Sequence, residues 1–138
     1  MAIEIKYFDG GKGVLWMASG TLTDEDLLSA NKEMFSRDLV AEPYHYGLFD
    51  STAVTEVKIS ANKMRENAME DVSEARQMPK FLYAIYANSD VTFGFGRMWE
   101  ALVGESGWVT HTFRKRSDAV EWLKAQVATK FGYRISLE

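Results

Sequence analysis

Residues 9–26 read DGGKGVLWMASGTLTDED, and this stretch sets the beginning of the fold. Its glycine-dense first five residues separate two runs typical of β-strands, residues 3–8 and 14–22, and therefore predict an antiparallel hairpin. Five consecutive apolar residues from Val14 onward indicate a strand that is buried on both faces. Thr23 with an acid three positions later is typical of a helix N-cap, so a helix is expected to follow the hairpin.

Beyond this hairpin, segments typical of strands and helices alternate along the chain. Strands are predicted over residues 44–50, 81–88 and 108–113, and helices begin near Thr23, Ser60, Asn88 and Ser117. The order ββαβαβαβα predicts an α/β fold with a mostly parallel five-stranded sheet, an antiparallel N-terminal strand and four helices. Residues 51–59 are predicted as a loop. A single domain over residues 1–138 is expected, with 131–138 as a loose or edge-pairing tail.

The second and third predicted helices each carry an apolar stripe at helical spacing. The stripes consist of Met64, Ala68, Val72 and Ala75, and of Val91, Phe95, Met98, Trp99 and Leu102. Met69 and Phe93 fall outside them; apolar side chains on outer helix faces can mark an interaction surface, although isolated ones are common. Gly94 and Gly96 lie inside the third helix, where glycines permit close packing, and not at a helix start, where a phosphate-binding loop requires them.

The composition is that of an ordinary globular domain, and it excludes several chemistries. The 138 residues are 46% hydrophobic and 26% charged, and the net charge of −4 argues against nucleic acid as a partner. The basic run 114–116 is too short to change that. The absence of cysteine removes thiol catalysis and thiolate metal sites, and two histidines leave little for other metals. The sequence predicts no signal peptide and no membrane span, so a cytoplasmic protein is expected.

Three residues are the candidates for catalysis or polar ligand binding: His45, His111 and Asp50. A histidine general base needs an oriented carboxylate, and no spacing in the sequence supplies one, so both histidines are expected to be structural. Asp50 ends a predicted parallel strand, where α/β sheets usually bind ligands, but an aspartate there also caps the following turn. We therefore expect no cofactor, no metal and no catalytic activity.

Four motifs carry a resemblance to a known family. Residues 48–60, LFDSTAVTEVKIS, resemble the central stretch of STAS domains, in which a strand ends in an aspartate, a short Val-Thr turn follows and a serine opens a helix. Residues 20–27, 93–101 and 117–123 resemble segments of the poorly characterised bacterial branch of this group, the SpoIIAA-like or STAS/SEC14 proteins. The motifs follow one another within residues 2–127, and the resemblance implies a SpoIIAA-like fold.

The resemblance also implies a domain that acts by binding and not by turnover. STAS-type anti-sigma-factor antagonists exchange partners when a serine at a helix start is phosphorylated, and the matching residue is Ser60. The family's Asp-Ser-Ser-Gly pattern reads Lys58-Ile59-Ser60-Ala61 here, without the acid, one serine and the glycine. Ser60 therefore has two interpretations, a switch residue or only a helix N-cap.

Two functions remain open on this basis. The first is a regulatory module that binds a protein partner, or a second copy of itself, through the surface of helices two and three. Its contact residues would be Ser60, Met69, Phe93 and Arg97. The alternative is a carrier or sensor of a small apolar, lipid-like ligand, as SEC14-like relatives hold between helices and sheet. The lining would be Met64, Val72, Tyr83, Phe95, Met98 and Trp99, unless the same residues fill a dry core.

Overall fold

Five strands form one sheet whose order from edge to edge follows the chain. In the computed structural model, which describes residues 2–138, β1 runs antiparallel to β2 and all other neighbours are parallel. The strands are β1 (Ile3–Phe8), β2 (Gly13–Thr23), β3 (Tyr46–Lys58), β4 (Leu82–Tyr86) and β5 (Val109–Phe113). A 3₁₀ turn over Asp9–Gly11 closes the hairpin, with positive φ angles at Asp9, Gly10 and Gly11. The predicted mixed sheet is therefore confirmed.

Four helices connect and follow the strands: α1 (Asp24–Met34), α2 (Ala61–Glu74), α3 (Asp90–Leu102) and α4 (Arg116–Phe131). The start of α1 confirms the predicted capping box: Thr23 Oγ1 accepts a hydrogen bond from the Asp26 amide, and the Asp26 carboxylate accepts one from the Thr23 amide at 2.9 Å. Within residues 2–138, no helix combines the length and the apolar character needed to cross a bilayer.

The pleat of the central strands directs alternate side chains into two cores. Trp16, Phe49 and Ile85 lie on one face of the sheet, where they pack with residues of α1, α2 and α3. Leu15 and Leu48 lie on the other face, against α4. One face therefore carries three helices and the other carries one.

The predicted loop over residues 51–59 is wrong, because β3 continues to Lys58. The extension pairs with the second half of β2 across two register shifts, and at each of them β3 contains one residue more than β2. Val54 is buried in the three-helix core and Val57 packs against it. Threonine and valine favour strands over turns, which accounts for the extension.

Two helix predictions also need correction. Val91 and Leu102, assigned to the buried stripe of α3, are 57% and 36% exposed. The buried side of α3 includes Gly96 instead, which lies so near β5 that a Cβ at this position would be 2.8 Å from Cγ2 of Thr112. The last helix begins at Arg116 with Lys115 as N-cap, so Ser117 is inside its first turn and does not cap it.

The segment after α4 packs onto the protein and forms no strand, in contrast to the loose or edge-pairing tail that the sequence predicts. Ile135 and Leu137 are 4% and 1% exposed, in the core beneath α4. The Ser136 amide donates to the Asp9 carboxylate, and Arg116 donates to the Glu138 carbonyl at 2.7 Å. Buried apolar side chains and these two bonds hold the segment in place.

Candidate functional site: an apolar cavity with a buried carboxyl group

A cavity of about 90 Å³ lies between the sheet and the three helices α1, α2 and α3, partly open to solvent. Most of its wall is apolar, and aromatic side chains contribute much of it. The aromatic lining residues are Trp16, Phe49, Tyr83, Phe95, Trp99 and Trp108. The region that the sequence predicts as either a ligand site or a dry core therefore contains a cavity.

The aromatic rings support one another and leave the cavity between them. The Tyr83 ring on β4 lies 5.2 Å from Trp16 on β2 and 4.9 Å from Trp99 on α3, measured between ring centroids. Trp108 lies 6.4 Å from Trp99 and donates its indole N–H to the Met78 carbonyl at 2.8 Å. These separations are those of favourable edge-to-face and tilted pairs, so the rings stabilise one another.

One carboxyl group, that of Asp71 on α2, lies in this apolar wall and is 4% exposed. Its Oδ2 accepts a 2.8 Å hydrogen bond from Trp99 Nε1 on α3, and its Oδ1 accepts a 3.1 Å hydrogen bond from Asn31 Nδ2 on α1. Asp71 thus links the three helices around the cavity. Among residues 2–138, it forms no salt bridge with a basic side chain.

Burial raises the pKa of Asp71 to about 7, because the charged carboxylate has lost its water. The neighbouring charge of Glu70 acts in the same direction, whereas the bonds from Trp99 and Asn31 favour the charged form and act against it. Burial, followed by the Asp71 charge, also raises the pKa of Tyr83 far above its ordinary value. The phenol is therefore neutral whenever the protein is folded under physiological conditions.

Four of the six residues predicted to line a ligand site do line the cavity: Met64, Tyr83, Phe95 and Trp99. Val72 and Met98 pack against the same core but lie outside the cavity wall. Sequence reasoning missed Asp71 and Asn31. A signal for Asp71 was present, since it lies three residues after Ala68 and four before Ala75, on the buried stripe of α2. A charged residue inside an apolar stripe indicates a buried polar group, which is a candidate for a functional site.

Of the four residues predicted to form a partner surface, Phe93 and Arg97 lie one turn apart on α3, whereas Met69 lies on α2. Met69 is 73% exposed and lies two positions before Asp71, about 200° around α2 from the side that faces α3. Phe93 is half-buried under the Arg114 guanidinium, which lies 4.0 Å from its ring centroid on the β5 side of α3. Arg97, the third of them, is 3.9 Å from the Glu100 carboxylate.

Ser60, the fourth residue of that surface, caps α2. Its Oγ accepts a hydrogen bond from the Lys63 amide at 3.2 Å, and its own amide donates to the Asp24 carboxylate at 3.1 Å. The residue is exposed. The hydroxyl thus fills the N-cap role that the sequence offers as one of its two interpretations.

Asp50 and the two histidines have separate sets of contacts. Asp50 accepts hydrogen bonds from Thr52 and, at 2.7 Å, from Arg116 Nε; although burial opposes them, these bonds keep the pKa of Asp50 below its ordinary value. Asp50 thus lies inside β3 and not at its end, and it anchors the start of α4 through Arg116. His45 contacts Tyr133 and stacks on Phe131, and burial lowers its pKa.

His111 is exposed, and its nearest carboxylate, that of Glu100, is 3.9 Å away. No histidine of the described chain thus has the short contact to an oriented carboxylate that a general base requires. Across residues 2–138, no group of three or more histidine and acidic side chains is arranged to hold a metal ion.

Comparison with known proteins identifies the fold. A crystal structure of an uncharacterized protein of the DUF3478 family with a SpoIIAA-like fold, from Shewanella loihica PV-4, matches with a TM-score of 0.54 at 18% sequence identity. The match covers 88% of this chain and 92% of the other. No family model matches the sequence. No curated protein matches it either. The chain therefore has a SpoIIAA-like fold, as its motifs predict.

Proposed function

We propose that this SpoIIAA-like domain works by binding a small, largely apolar molecule in the cavity beneath α1, α2 and α3, and not by catalytic turnover. The observation that carries the proposal is the aromatic cavity itself. Protein interiors usually pack without voids larger than a water molecule. A volume of about 90 Å³ is roughly three-fifths of the ~150 Å³ apolar cavity that holds benzene in a well-studied case.

The hydrogen bonds between helices around the cavity support a ligand sensor in preference to a simple ligand carrier. Asp71 joins Asn31 of α1 to Trp99 of α3, so an occupant that touches this carboxyl group acts on three helices at once. These helices also form the outer surface on that side of the sheet. A ligand that tightens or loosens the link would change the surface that a partner meets, which fits a regulatory module.

A protein-docking module is the second candidate, and one observation favours it. Met69 exposes 73% of its surface on α2, the same helix that Ser60 caps. Exposed methionine is common on adaptable binding surfaces. Its partner would be another protein or a second copy of the chain. Sedimentation over a range of concentrations, with Met69→Lys as the matched variant, tests self-association; a wild-type chain that stays monomeric at high concentration argues against the second copy.

The tryptophan indole N–H signals in a ¹H–¹⁵N NMR spectrum test the cavity directly. Trp16, Trp99 and Trp108 line it, whereas Trp122 lies on α4 at the opposite face of the sheet and serves as an internal control. Titration with 1-butanol, a small amphipathic probe, should move the signals of the first three and leave that of Trp122 in place. Equal movement of all four signals, or none, would contradict the proposal.

Native mass spectrometry of freshly purified protein provides a second test. A bound molecule that survives purification would appear as an added mass, and the variant Ala30→Met should lose it. Ala30 is 6% exposed and lines the cavity, so a longer side chain there occupies ligand space. An added mass that persists unchanged in the filled variant would place the molecule elsewhere.

A further inference from the structure

The ionisable lining of the cavity includes an acidic group and no basic group among residues 2–138. Asp71 is the acidic residue in the wall, and no lysine, arginine or histidine of residues 2–138 lines it. A buried carboxylate without a basic partner is costly, so such a group is usually paired with a cation or neutralised by a proton, and the raised pKa of Asp71 reflects the missing cation. Because no basic side chain lines the cavity beside Asp71, we expect the ligand to carry the positive charge.

Asp71 also retains the capacity to bind a donor. Each carboxylate oxygen can accept two hydrogen bonds, and each oxygen of Asp71 accepts one, from Trp99 and from Asn31 respectively. Two acceptor positions thus remain. An ammonium group carries several N–H donors, and hydrogen bonds between ionised groups are about twice as strong as neutral ones.

The aromatic rings beside Asp71 favour the same kind of ligand. The indole of Trp99 is bonded to the carboxylate, and the rings of Tyr83 and Trp16 continue the wall from it. The faces of such rings are electron-rich and attract cations, most strongly when water is excluded. An aromatic wall with one carboxylate provides both contacts that a small organic cation needs.

From this juxtaposition we propose that the ligand is a small alkylammonium ion, whose charged nitrogen lies against Asp71 and whose apolar part contacts the rings of Trp16, Tyr83 and Trp99. The inference rests on the proposed function and names its ligand class. A fatty acid would place a second carboxylate beside Asp71 and is disfavoured by repulsion. A neutral alcohol satisfies one acceptor and leaves the buried charge uncompensated.

The test compares three probes of equal chain length: butylammonium, 1-butanol and butanoate. The readout is the indole N–H signal of Trp99, which is bonded to the Asp71 carboxylate. At about pH 8.5, with the carboxylate charged, we expect butylammonium to bind roughly tenfold or more tightly than 1-butanol, and butanoate more weakly than both. Equal affinities for the first two, or tightest binding of butanoate, would overturn the inference and leave the proposed function standing.

Absence of binding by all three probes would overturn the inference together with the proposed function. The variant Asp71→Asn keeps the shape and removes the charge; it should still bind 1-butanol but lose the preference for butylammonium. The Asn31 amide can turn to present its oxygen to the new NH₂ group, so the polar link is preserved. A preference that persists in this variant would place the cation elsewhere.

A pH series on the wild-type protein gives the same information without any variant. The titratable groups near Asp71 are Glu70, adjacent on α2, and Tyr83 on β4, which is neutral throughout the series. Protonation of Asp71 below about pH 6 should reduce the preference for butylammonium severalfold and leave the affinity for 1-butanol nearly constant. A preference that is independent of pH across this range would contradict the role of Asp71.

Discussion

Trp99 Nε1 donates a 2.8 Å hydrogen bond to Oδ2 of Asp71, and this bond joins α3 to α2 inside an apolar cavity. The donor is a large hydrophobic side chain, and the acceptor is a carboxyl group with almost no access to water. The bond has a structural role, because it joins two helices. It also holds the Asp71 carboxyl group in the wall of the cavity between them.

The pH dependence of stability should reveal Asp71. Its pKa rises from an ordinary value near 3.8 in the unfolded chain to about 7 in the folded protein, so the folded state binds more protons between these values. The contribution of this group to stability is therefore full below about pH 4 and falls as the pH rises to 7, by on the order of 4 kcal/mol. Urea unfolding of wild type and Asp71→Asn at several pH values measures the difference.

The variant isolates Asp71 from a group that acts in the opposite direction. The pKa of His45 is lowered in the folded protein, so its contribution to stability increases as the pH rises through 6.5. Both proteins share this term, and it cancels in their difference. Parallel pH profiles for wild type and Asp71→Asn would show that the Asp71 carboxyl group does not have a raised pKa in the folded protein.

Trp99→Phe should destabilise the protein through Asp71 as well as through lost packing. The substitution removes one of the two hydrogen bonds to a buried carboxylate, and an unsatisfied buried acceptor costs about 1–3 kcal/mol. The matched control is Trp122→Phe, since Trp122 is a half-buried residue at the α4 face. Chemical denaturation should show a clearly larger loss for Trp99→Phe, and similar losses would contradict the importance of the bond.

Gly94 and Gly96 should respond oppositely to alanine. A Cβ at Gly96 would approach Cγ2 of Thr112 to 2.8 Å, so Gly96→Ala forces α3 away from β5 and should lower stability by about 1–3 kcal/mol. At Gly94 there is open space, and alanine in a helix is favoured over glycine by about 0.5–1 kcal/mol. Thermal unfolding of the two variants is the measurement, and shifts of the same sign would be inconsistent with the packing of α3.

Ser60→Ala should lower stability by about 1 kcal/mol, because the hydroxyl caps α2 by accepting from the Lys63 amide. Ser60→Asp retains an acceptor at this position and should restore most of the loss. Denaturant unfolding of the two variants compares their free energies of unfolding and measures the N-cap contribution apart from any role of Ser60 in phosphorylation. If both substitutions were neutral for stability, the N-cap interpretation would be untenable.

Leu137→Ala should cost about 2–3 kcal/mol, although the residue lies beyond the last helix. Leu137 is 1% exposed in the core beneath α4, and truncation of a buried leucine leaves a cavity. Arg134→Ala is the control, because Arg134 lies in the same segment and is exposed. A loss below 0.5 kcal/mol, roughly that of an ordinary surface change, would mean that the segment is not packed in solution.

Local signals in the sequence were sufficient for the element order. Three such signals each involve only a few adjacent residues and can be recognised in the sequence: the glycines after β1, the capping box at Thr23 and the cap at Ser60. The continuation of β3 over residues 51–58 escaped prediction because it depends on pairing with β2 across two register shifts. Such pairing joins residues that are distant in the chain.

The candidate site was harder to predict for a similar reason. The apolar residues around it look like any core, and only their arrangement decides that Met64 and Phe95 line a cavity while Val72 and Met98 fill space. Asp71 gave a signal through its place on the α2 stripe. Its bonds to Asn31 and Trp99, which join residues 40 and 28 positions away, required the fold.

The strand order of the sheet has a consequence for how the chain folds. Because each strand pairs with the strand that precedes it in the chain, no strand has to insert between two that are already joined. The sheet can grow from the β1–β2 hairpin by addition at a single edge, and each crossover helix covers the strand just added. The strands of this sheet can thus be added one after another, without a step in which an existing pair must reopen.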